Sequence, residues 1–205
     1  GDVYKRQRLR LARPEQIVDL NRVQGLAGIA VNGQTVEIRA MTRHADVAAN
    51  PQVQAAIPAL AELAGGIGDR QVRARGTIGG SLANNDPAAC YPSAVLGLGA
   101  TVVTDRREIA ADDFFQGMYT TALGSGELIT AVRFPVPKKA AYLKFKQPAS
   151  RFALVGVFVA QTDSGVRVAI TGAGLSVFRH AGLEAALNQS FTPDAAAQVL
   201  SLIHI

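Results

Sequence analysis

The chain has 205 residues, of which 48% are hydrophobic and 18% charged, and its formal net charge is +5. This composition is typical of a globular protein that buries a core, and no apolar run is long enough to cross a bilayer. A single cysteine, Cys90, excludes an internal disulfide and a metal cluster held by cysteines, so we expect a cytoplasmic protein. The basic residues are scattered, which gives nucleic acid no particular support as a partner.

In the first third of the chain, the residue patterns predict a β-hairpin followed by helices. The hairpin turn is placed at Asn32-Gly33, a dipeptide that strongly favours a two-residue turn. Thr42 is a candidate N-cap, and Pro51 is a candidate first residue of a helix that runs to Ala64 and ends before Gly65-Gly66. The predicted elements are a strand at 9–12, a turn or short helix at 15–20, strands at 28–31 and 35–40, and helices at 44–49 and 51–64.

Downstream, blocks of strands and helices predict an α+β fold rather than a strict β-α-β alternation. The proline-rich segment 135–139, PVPKK, is a candidate domain boundary. The predicted elements are strands at 101–103, 127–134, 142–146, 153–160 and 166–171, and helices at 111–115, 181–187 and 193–200. The ends, 1–7 and 201–205, resemble translated adapter sequence, and we interpret them as non-native.

Residues 67–92 are rich in Gly, Asn, Asp and Arg and show little periodicity, which predicts a loop. Gly79 and Gly80 allow a ligand to approach the main chain, and successive N–H groups in such a loop can bind an anion. We therefore expect these N–H groups to face a cleft, with hydroxyl donors from Thr77 and Ser81 and an amide from Asn84. The residues alone leave two interpretations open, a phosphate- or ribityl-binding loop and a long structural loop.

Residues 75–89, RGTIGGSLANNDPAA, resemble the second FAD-binding segment of the flavoprotein subunit of molybdenum hydroxylases, the family of xanthine dehydrogenase and carbon monoxide dehydrogenase. Residues 126–129 and 142–157 resemble two further blocks of that family in the same order. The resemblance implies a partial FAD-binding domain of the p-cresol methylhydroxylase and vanillyl-alcohol oxidase type at 8–137. It implies a partial α+β domain at 138–200, similar to the C-terminal domain of carbon monoxide dehydrogenase flavoproteins.

The resemblance also implies which residues contact FAD. The segment from Thr77 to Ser81 is implied to wrap the cofactor through main-chain N–H groups, and Tyr142 to lie beside the flavin ring. Lys146 is implied to bring a positive charge, with Lys144 as a weaker candidate. The residues implied to bind FAD are Ile67, Thr77, Ile78, Gly79, Gly80, Ser81, Asn84, Cys90, Ile129, Tyr142 and Lys146.

Two departures from the family pattern concern the strength of FAD binding. Cys90 stands where the family usually has an aspartate that accepts hydrogen bonds from FAD hydroxyls, and a thiol is a weak acceptor. The family's first FAD segment, a pyrophosphate-binding loop of the Ala-Gly-Gly type, would lie before Leu9 and is not matched. We therefore expect that the chain as it stands does not retain FAD through gel filtration.

The function implied by the resemblance is electron transfer. A molybdopterin large subunit oxidises the substrate, an iron–sulfur small subunit passes the electrons on, and FAD delivers them to NAD or another acceptor. No side chain is expected to act as a catalytic acid or base, and the histidines lack the spacing of metal ligands. Two alternatives remain: a flavin-free binding or structural remnant of the same fold, and a stand-alone flavin oxidoreductase.

Overall fold

The computed structural model describes residues 16–200, in which two antiparallel sheets are packed with helices. The first sheet has the strand order β1-β2-β7-β3-β4, the second has the order β11-β10-β9-β8, and β5 and β6 form a separate pair. The strands are β1 Ile29–Asn32, β2 Thr35–Arg39, β3 Thr101–Thr104, β4 Glu108–Ala110, β5 Phe115–Gly117, β6 Thr120–Thr121, β7 Ile129–Pro135, β8 Lys139–Lys146, β9 Ala153–Thr162, β10 Gly165–Thr171 and β11 Phe178–Arg179.

The helices lie between and beside these sheets, and the mixture confirms the α+β prediction. The helices are α1 His44–Ala49, α2 Pro51–Ala56, α3 Pro58–Gly65, α4 Arg70–Arg75, α5 Ile78–Asn84, α6 Tyr91–Leu98, α7 Ala111–Phe114, α8 Ala181–Gln189 and α9 Pro193–Leu200. No helix within residues 16–200 is long and apolar enough to cross a membrane. The strand predicted at 9–12 lies outside the described residues, and so do the two ends that we interpret as non-native, 1–7 and 201–205. Of the turn or short helix predicted at 15–20, the described residues 16–20 form no helix.

The predicted hairpin is confirmed, with its turn one residue later than expected. Asn32 pairs with Thr35, so the two-residue loop consists of Gly33 and Gln34, with Gly33 at a φ of 58°. Left-handed backbone of this kind favours glycine because a Cβ atom would be strained there.

The prediction that Thr42 caps a helix is wrong, because its hydroxyl has a tertiary partner. Thr42 Oγ1 accepts a hydrogen bond from the Gly28 N–H at 3.0 Å and donates to the Gly28 carbonyl at 2.9 Å. Arg43 is the N-cap residue of α1 and makes no side-chain cap. These two hydrogen bonds connect the residue before β1 to the segment that follows β2.

The single helix predicted from Pro51 to Ala64 is two helices, because Pro58 interrupts it. Proline has no N–H to donate to the preceding turn and instead begins α3. Asn50 caps α2, since its side-chain oxygen accepts from the N–H groups of Gln52 at 2.9 Å and Val53 at 3.0 Å. The predicted end at Gly65-Gly66 is confirmed.

The loop predicted around Gly79 and Gly80 is wrong, because these residues lie in α5. The helix packs so closely on the end of β2 that a Cβ atom at position 79 would lie 2.6 Å from the Ala40 Cβ and 2.9 Å from its carbonyl oxygen. Tertiary packing therefore outweighs the low helix propensity of the glycine pair. Asn85 ends the helix in left-handed backbone with a φ of 43°.

One hydrophobic core joins the parts of the chain before and after the proline-rich segment. Helix α6 is buried along its whole length, and Phe158 of β9 belongs to the same buried cluster. Arg167 of β10 reinforces the junction, because it donates to the Leu96 carbonyl at 3.0 Å and to both carboxylate oxygens of Asp112 at 2.8 and 2.9 Å. A smaller cluster lies between β10 and α8.

We predict that Gly79→Ala destabilises the protein by about 2 kcal/mol, because the added methyl group collides with backbone that cannot move freely. Gly80→Ala is the matched control: it lies in the same helix but is exposed, and its Cβ would meet only the Thr77 hydroxyl at 3.1 Å. We expect this variant to remain within about 1 kcal/mol of the parent, since alanine favours helix. Urea midpoints measure the difference, and equal midpoints would contradict the packing described.

Candidate functional site

Helix α5 presents a polar face to the surface. Thr77, Gly80, Ser81 and Asn84 are separated by three or four residues, so they share one side of the helix, and each is exposed or half-buried. The opposite side, which includes Leu82, is buried against the core. The hydroxyls of Thr77 and Ser81 and the amide of Asn84 therefore surround Gly80, which has no side chain.

The first N–H groups of α5 are already hydrogen-bonded within the chain. The Ile78 N–H donates to the Thr42 carbonyl at 3.2 Å, and the Gly79 N–H donates to the Ala40 carbonyl at 2.9 Å. The exposed Gly80 N–H donates to the hydroxyl of the capping threonine at 3.3 Å, a long contact. The expectation that the glycine N–H groups face an open cleft is therefore wrong. The side chains of this face remain able to bind a ligand.

A second group of side chains meets around Cys90, at the start of α6. The thiol is buried, and the Lys144 ammonium lies 3.5 Å from its sulfur. The same ammonium donates to the carbonyls of Gly66 at 2.6 Å and Arg151 at 3.1 Å. Lys144, ranked below Lys146 from the sequence, is thus the lysine that the fold brings to this group.

The hydroxyl of Tyr142 is buried beside the Cys90 thiol and has no hydrogen-bond partner of good geometry within residues 16–200. Burial, together with the neighbouring Cys90 thiol, raises the pKa of Tyr142 above its ordinary value, so the hydroxyl keeps its proton. A buried donor without a partner costs about 1–3 kcal/mol. Because this oxygen is inaccessible, the donor would reach a ligand only after the side chains around it move.

The other residues named from the sequence differ in how much surface they offer. Ile67 is half-buried, and its carbonyl accepts from Arg73 at 3.0 Å. Ile129 is only 8% exposed, whereas the neighbouring Leu128 is 45% exposed. Lys146 is exposed at the end of β8. Leu128 therefore offers more apolar surface than Ile129 does.

Glu127 fixes the loop that leads into β7, a role that its place in a predicted strand did not reveal. Its carboxylate accepts from Arg107 at 3.0 Å, from the Gly124 N–H at 2.7 Å and from the Thr104 hydroxyl at 2.8 Å. These hydrogen bonds, the one from Arg107 first, lower the pKa of Glu127 to about 2. The carboxylate therefore stays charged at neutral pH and holds the segment before Ile129 in place.

The side chains on these two surfaces fit a ligand that carries hydroxyls and phosphates, such as FAD. They supply hydroxyl and amide groups on α5, an unpartnered phenol and a fixed ammonium. FAD would therefore be bound by side chains rather than by the main-chain N–H groups that the sequence led us to expect. No group of three or more metal-binding side chains occurs within residues 16–200.

Comparison with known proteins gives consistent matches. A family model described as the FAD binding domain in molybdopterin dehydrogenase matches residues 2–137. The carbon monoxide dehydrogenase medium chain of Hydrogenophaga pseudoflava is 38% identical over 92% of this chain and 70% of its own length. The glyceraldehyde dehydrogenase medium chain of Sulfolobus acidocaldarius is 33% identical over 96% of this chain and 76% of its own length.

A solved structure of carbon monoxide dehydrogenase from Hydrogenophaga pseudoflava, lacking the Mo-pyranopterin moiety of its cofactor, is similar in fold. It aligns with a TM-score of 0.89 and 36% sequence identity, covering 99% of this chain and 77% of that chain.

We predict that Glu127→Gln lowers the melting temperature at pH 7, and that the difference from the parent narrows as the pH falls. A carboxyl whose pKa drops from 4.5 to about 2 on folding stabilises the protein fully above its unfolded pKa. This stabilisation is lost as the pH falls from about 5 through 2. Melting curves across this range measure the effect, with Glu62→Gln on α3 as an exposed control. A constant difference between parent and variant at all pH values would contradict the assignment.

We predict that Cys90→Asp tightens FAD binding, because a carboxylate accepts hydrogen bonds from cofactor hydroxyls better than a thiol does. A gain of about 1 kcal/mol corresponds to roughly fivefold in the dissociation constant. Cys90→Ser is the control of similar size without the charge. FAD dissociation constants decide the matter, and equal or weaker binding by the Asp variant would count against Cys90 as a cofactor contact.

Proposed function

The chain belongs to the FAD-binding domain family of molybdopterin dehydrogenases, and from this membership we propose that it transfers electrons through FAD to NAD or another acceptor. It is a FAD-dependent oxidoreductase subunit of the molybdenum hydroxylase type. The observation that carries the proposal is the family match over residues 2–137, which includes the polar face of α5 and the Cys90 region.

The proposed partners are an iron–sulfur small subunit and a molybdopterin large subunit. The relatives named above are medium chains, and the aligned structure is of a carbon monoxide dehydrogenase that lacks the Mo-pyranopterin moiety of its molybdenum cofactor. In this arrangement the chain receives electrons and oxidises no substrate of its own. We further propose that residues 8–137 form the FAD-binding domain and 138–200 the domain that packs against it.

The proposed cofactor contacts follow from the two surfaces described. Bound FAD supplies the electron-carrying chemistry. The α5 face would bind its polar groups through Thr77, Ser81 and Asn84, with Gly80 leaving room for close approach. The Tyr142 hydroxyl would donate to an acceptor on the cofactor. No described side chain is assigned the transfer of a proton to substrate.

A flavin-free remnant of the fold is the second candidate, and one observation favours it. The N–H groups of Ile78 and Gly79 are satisfied by the protein itself, so they offer nothing to a pyrophosphate. In that case the chain would serve as a structural subunit that retains the packing of its relatives.

Alkylation of the single cysteine, Cys90, can distinguish a FAD-binding subunit from a flavin-free remnant of the fold. If FAD covers Cys90, added FAD should slow alkylation of the thiol by iodoacetamide, and intact mass reports the reaction at one site only. At a FAD concentration ten times its dissociation constant we expect the rate to fall about tenfold, by mass action. ADP, which lacks the flavin and the ribityl chain, is the control ligand.

The two candidates predict different outcomes in this assay. Protection by FAD and not by ADP supports the flavoprotein. An alkylation rate that millimolar FAD leaves unchanged, with no flavin fluorescence change on titration, supports the flavin-free remnant.

A further inference from the structure

The sulfur of Cys90 is in contact with an amine and a hydroxyl from β8. The Lys144 nitrogen lies 3.5 Å from the sulfur. The Tyr142 hydroxyl lies beside the same sulfur, is inaccessible, and has no hydrogen-bond partner of good geometry within residues 16–200. Lys144 is 54 residues from Cys90 in the chain, so only the fold brings them together. The group therefore combines an oxidisable sulfur, a nucleophile and an unused hydrogen-bond donor.

The amine of Lys144 is held close to the geometry that a reaction with the sulfur requires. Its other two contacts, with the carbonyls of Gly66 at 2.6 Å and Arg151 at 3.1 Å, fix its position. Reacting atoms held about 3–3.5 Å apart approach the geometry of attack, which raises the rate far above that of the same groups free in solution. Because a lysine attacks only as the neutral amine, this proximity compensates for the small neutral fraction.

The surroundings of Cys90 restrict which partners its sulfur can find. The residue is 6% exposed, so a peroxide, which is little larger than water, reaches it more readily than a bulky thiol does. Cys90 is the single cysteine, so its sulfenic acid cannot end in an internal disulfide. A sulfenic acid without a partner is oxidised further to sulfinic acid, which thiols do not reduce. The Lys144 amine is therefore the side chain that can stop this second oxidation.

We propose that Cys90 is a peroxide-reactive thiol whose oxidised sulfur is captured by Lys144 in a reversible sulfur–nitrogen cross-link. First, hydrogen peroxide transfers one oxygen to the sulfur: the O–O bond breaks, an S–O bond forms, water leaves, and the sulfur gives two electrons to the peroxide. The Lys144 nitrogen then attacks the sulfur, an S–N bond forms, the S–O bond breaks, and the hydroxyl leaves as water with a proton from the amine. A dithiol reverses the cross-link by returning thiol and amine while it becomes a disulfide.

The Tyr142 hydroxyl fits the intermediate of this sequence. The oxygen that peroxide adds to the sulfur accepts a hydrogen bond better than a thiol does, so it gives the unused donor a partner. The same hydrogen bond draws charge from the S–O bond and helps the oxygen to leave as water. The reaction needs no bound FAD, so the inference goes beyond the proposed electron transfer and is tested independently of it.

The test treats the purified protein with hydrogen peroxide and follows its intact mass and peptide map. We expect the parent to lose two hydrogen atoms in mass, the peptides of Cys90 and Lys144 to be joined, and dithiothreitol to restore the original mass. Lys144→Gln should instead gain oxygen atoms and keep them after reduction, as sulfinic acid. Lys146→Gln, which removes the next lysine of the strand, is the matched control and should cross-link as the parent does. Tyr142→Phe should slow cross-linking about fivefold, the effect of one hydrogen bond.

The opposite results are equally specific. A parent that does not react with peroxide, or that gains oxygen atoms without joined peptides, overturns the proposal. A loss of two hydrogen atoms that persists in Lys144→Gln places the bond on a backbone nitrogen and also overturns it. An unchanged rate in Tyr142→Phe removes the role given to that hydroxyl. If Lys144→Gln does not fold, Lys144→Arg decides, because a guanidinium keeps the charge but does not attack sulfur: a folded Arg variant without the cross-link supports the inference, and one that still forms it overturns it.

Discussion

The complete burial of α6 is the constraint on which the rest of the structure depends. All eight of its residues are buried, and the helix packs against β7 of the first sheet and against β9 and β10 of the second. Gly97 makes this approach possible, because a Cβ atom there would lie 2.9 Å from the Phe158 ring. Both sheets thus bury their apolar faces on one short helix, so neither can shift without disturbing the other.

The position of the candidate site follows from this helix. Cys90 is its N-cap, so the start of α6 fixes the thiol, and α5 packs against the same helix just before it in the chain. Between them, the buried side chain of Asn85 donates to the carbonyls of Gly117 at 2.7 Å and Thr120 at 2.8 Å. The turn from α5 to α6 is therefore held to the β5–β6 hairpin, and both site surfaces are attached to the most rigid part of the molecule.

The sequence predicted the parts of this fold that depend on local periodicity and turn chemistry. Strand β7 follows from alternation, β9 from a continuous apolar run, and the first hairpin from its Asn-Gly dipeptide. Helix α5 was missed because its glycines disfavour helix, although Thr77 as a cap before the apolar pair Ile78 and Leu82 was a readable signal. The contacts of Lys144 could not be predicted, since it and Gly66 are 78 residues apart and only the packing of β8 beside α3 brings them together.

The electrostatics of the Cys90 region bear on whether this fold still holds a cofactor. A remnant that had lost its ligand would be expected to fill the space with apolar side chains, because an unpartnered buried hydroxyl costs free energy. Tyr142 has such a hydroxyl beside Cys90, and the Lys144 ammonium lies 3.5 Å from the Cys90 sulfur. The Tyr142 phenol lies next to a thiol that accepts hydrogen bonds only weakly. The Lys144 ammonium already has three partners, so it would offer a polar ligand its charge rather than a free donor. The family match and the polar character of this region together favour a flavin-binding subunit over an empty scaffold, even though the main chain of α5 offers the cofactor less than the sequence suggested.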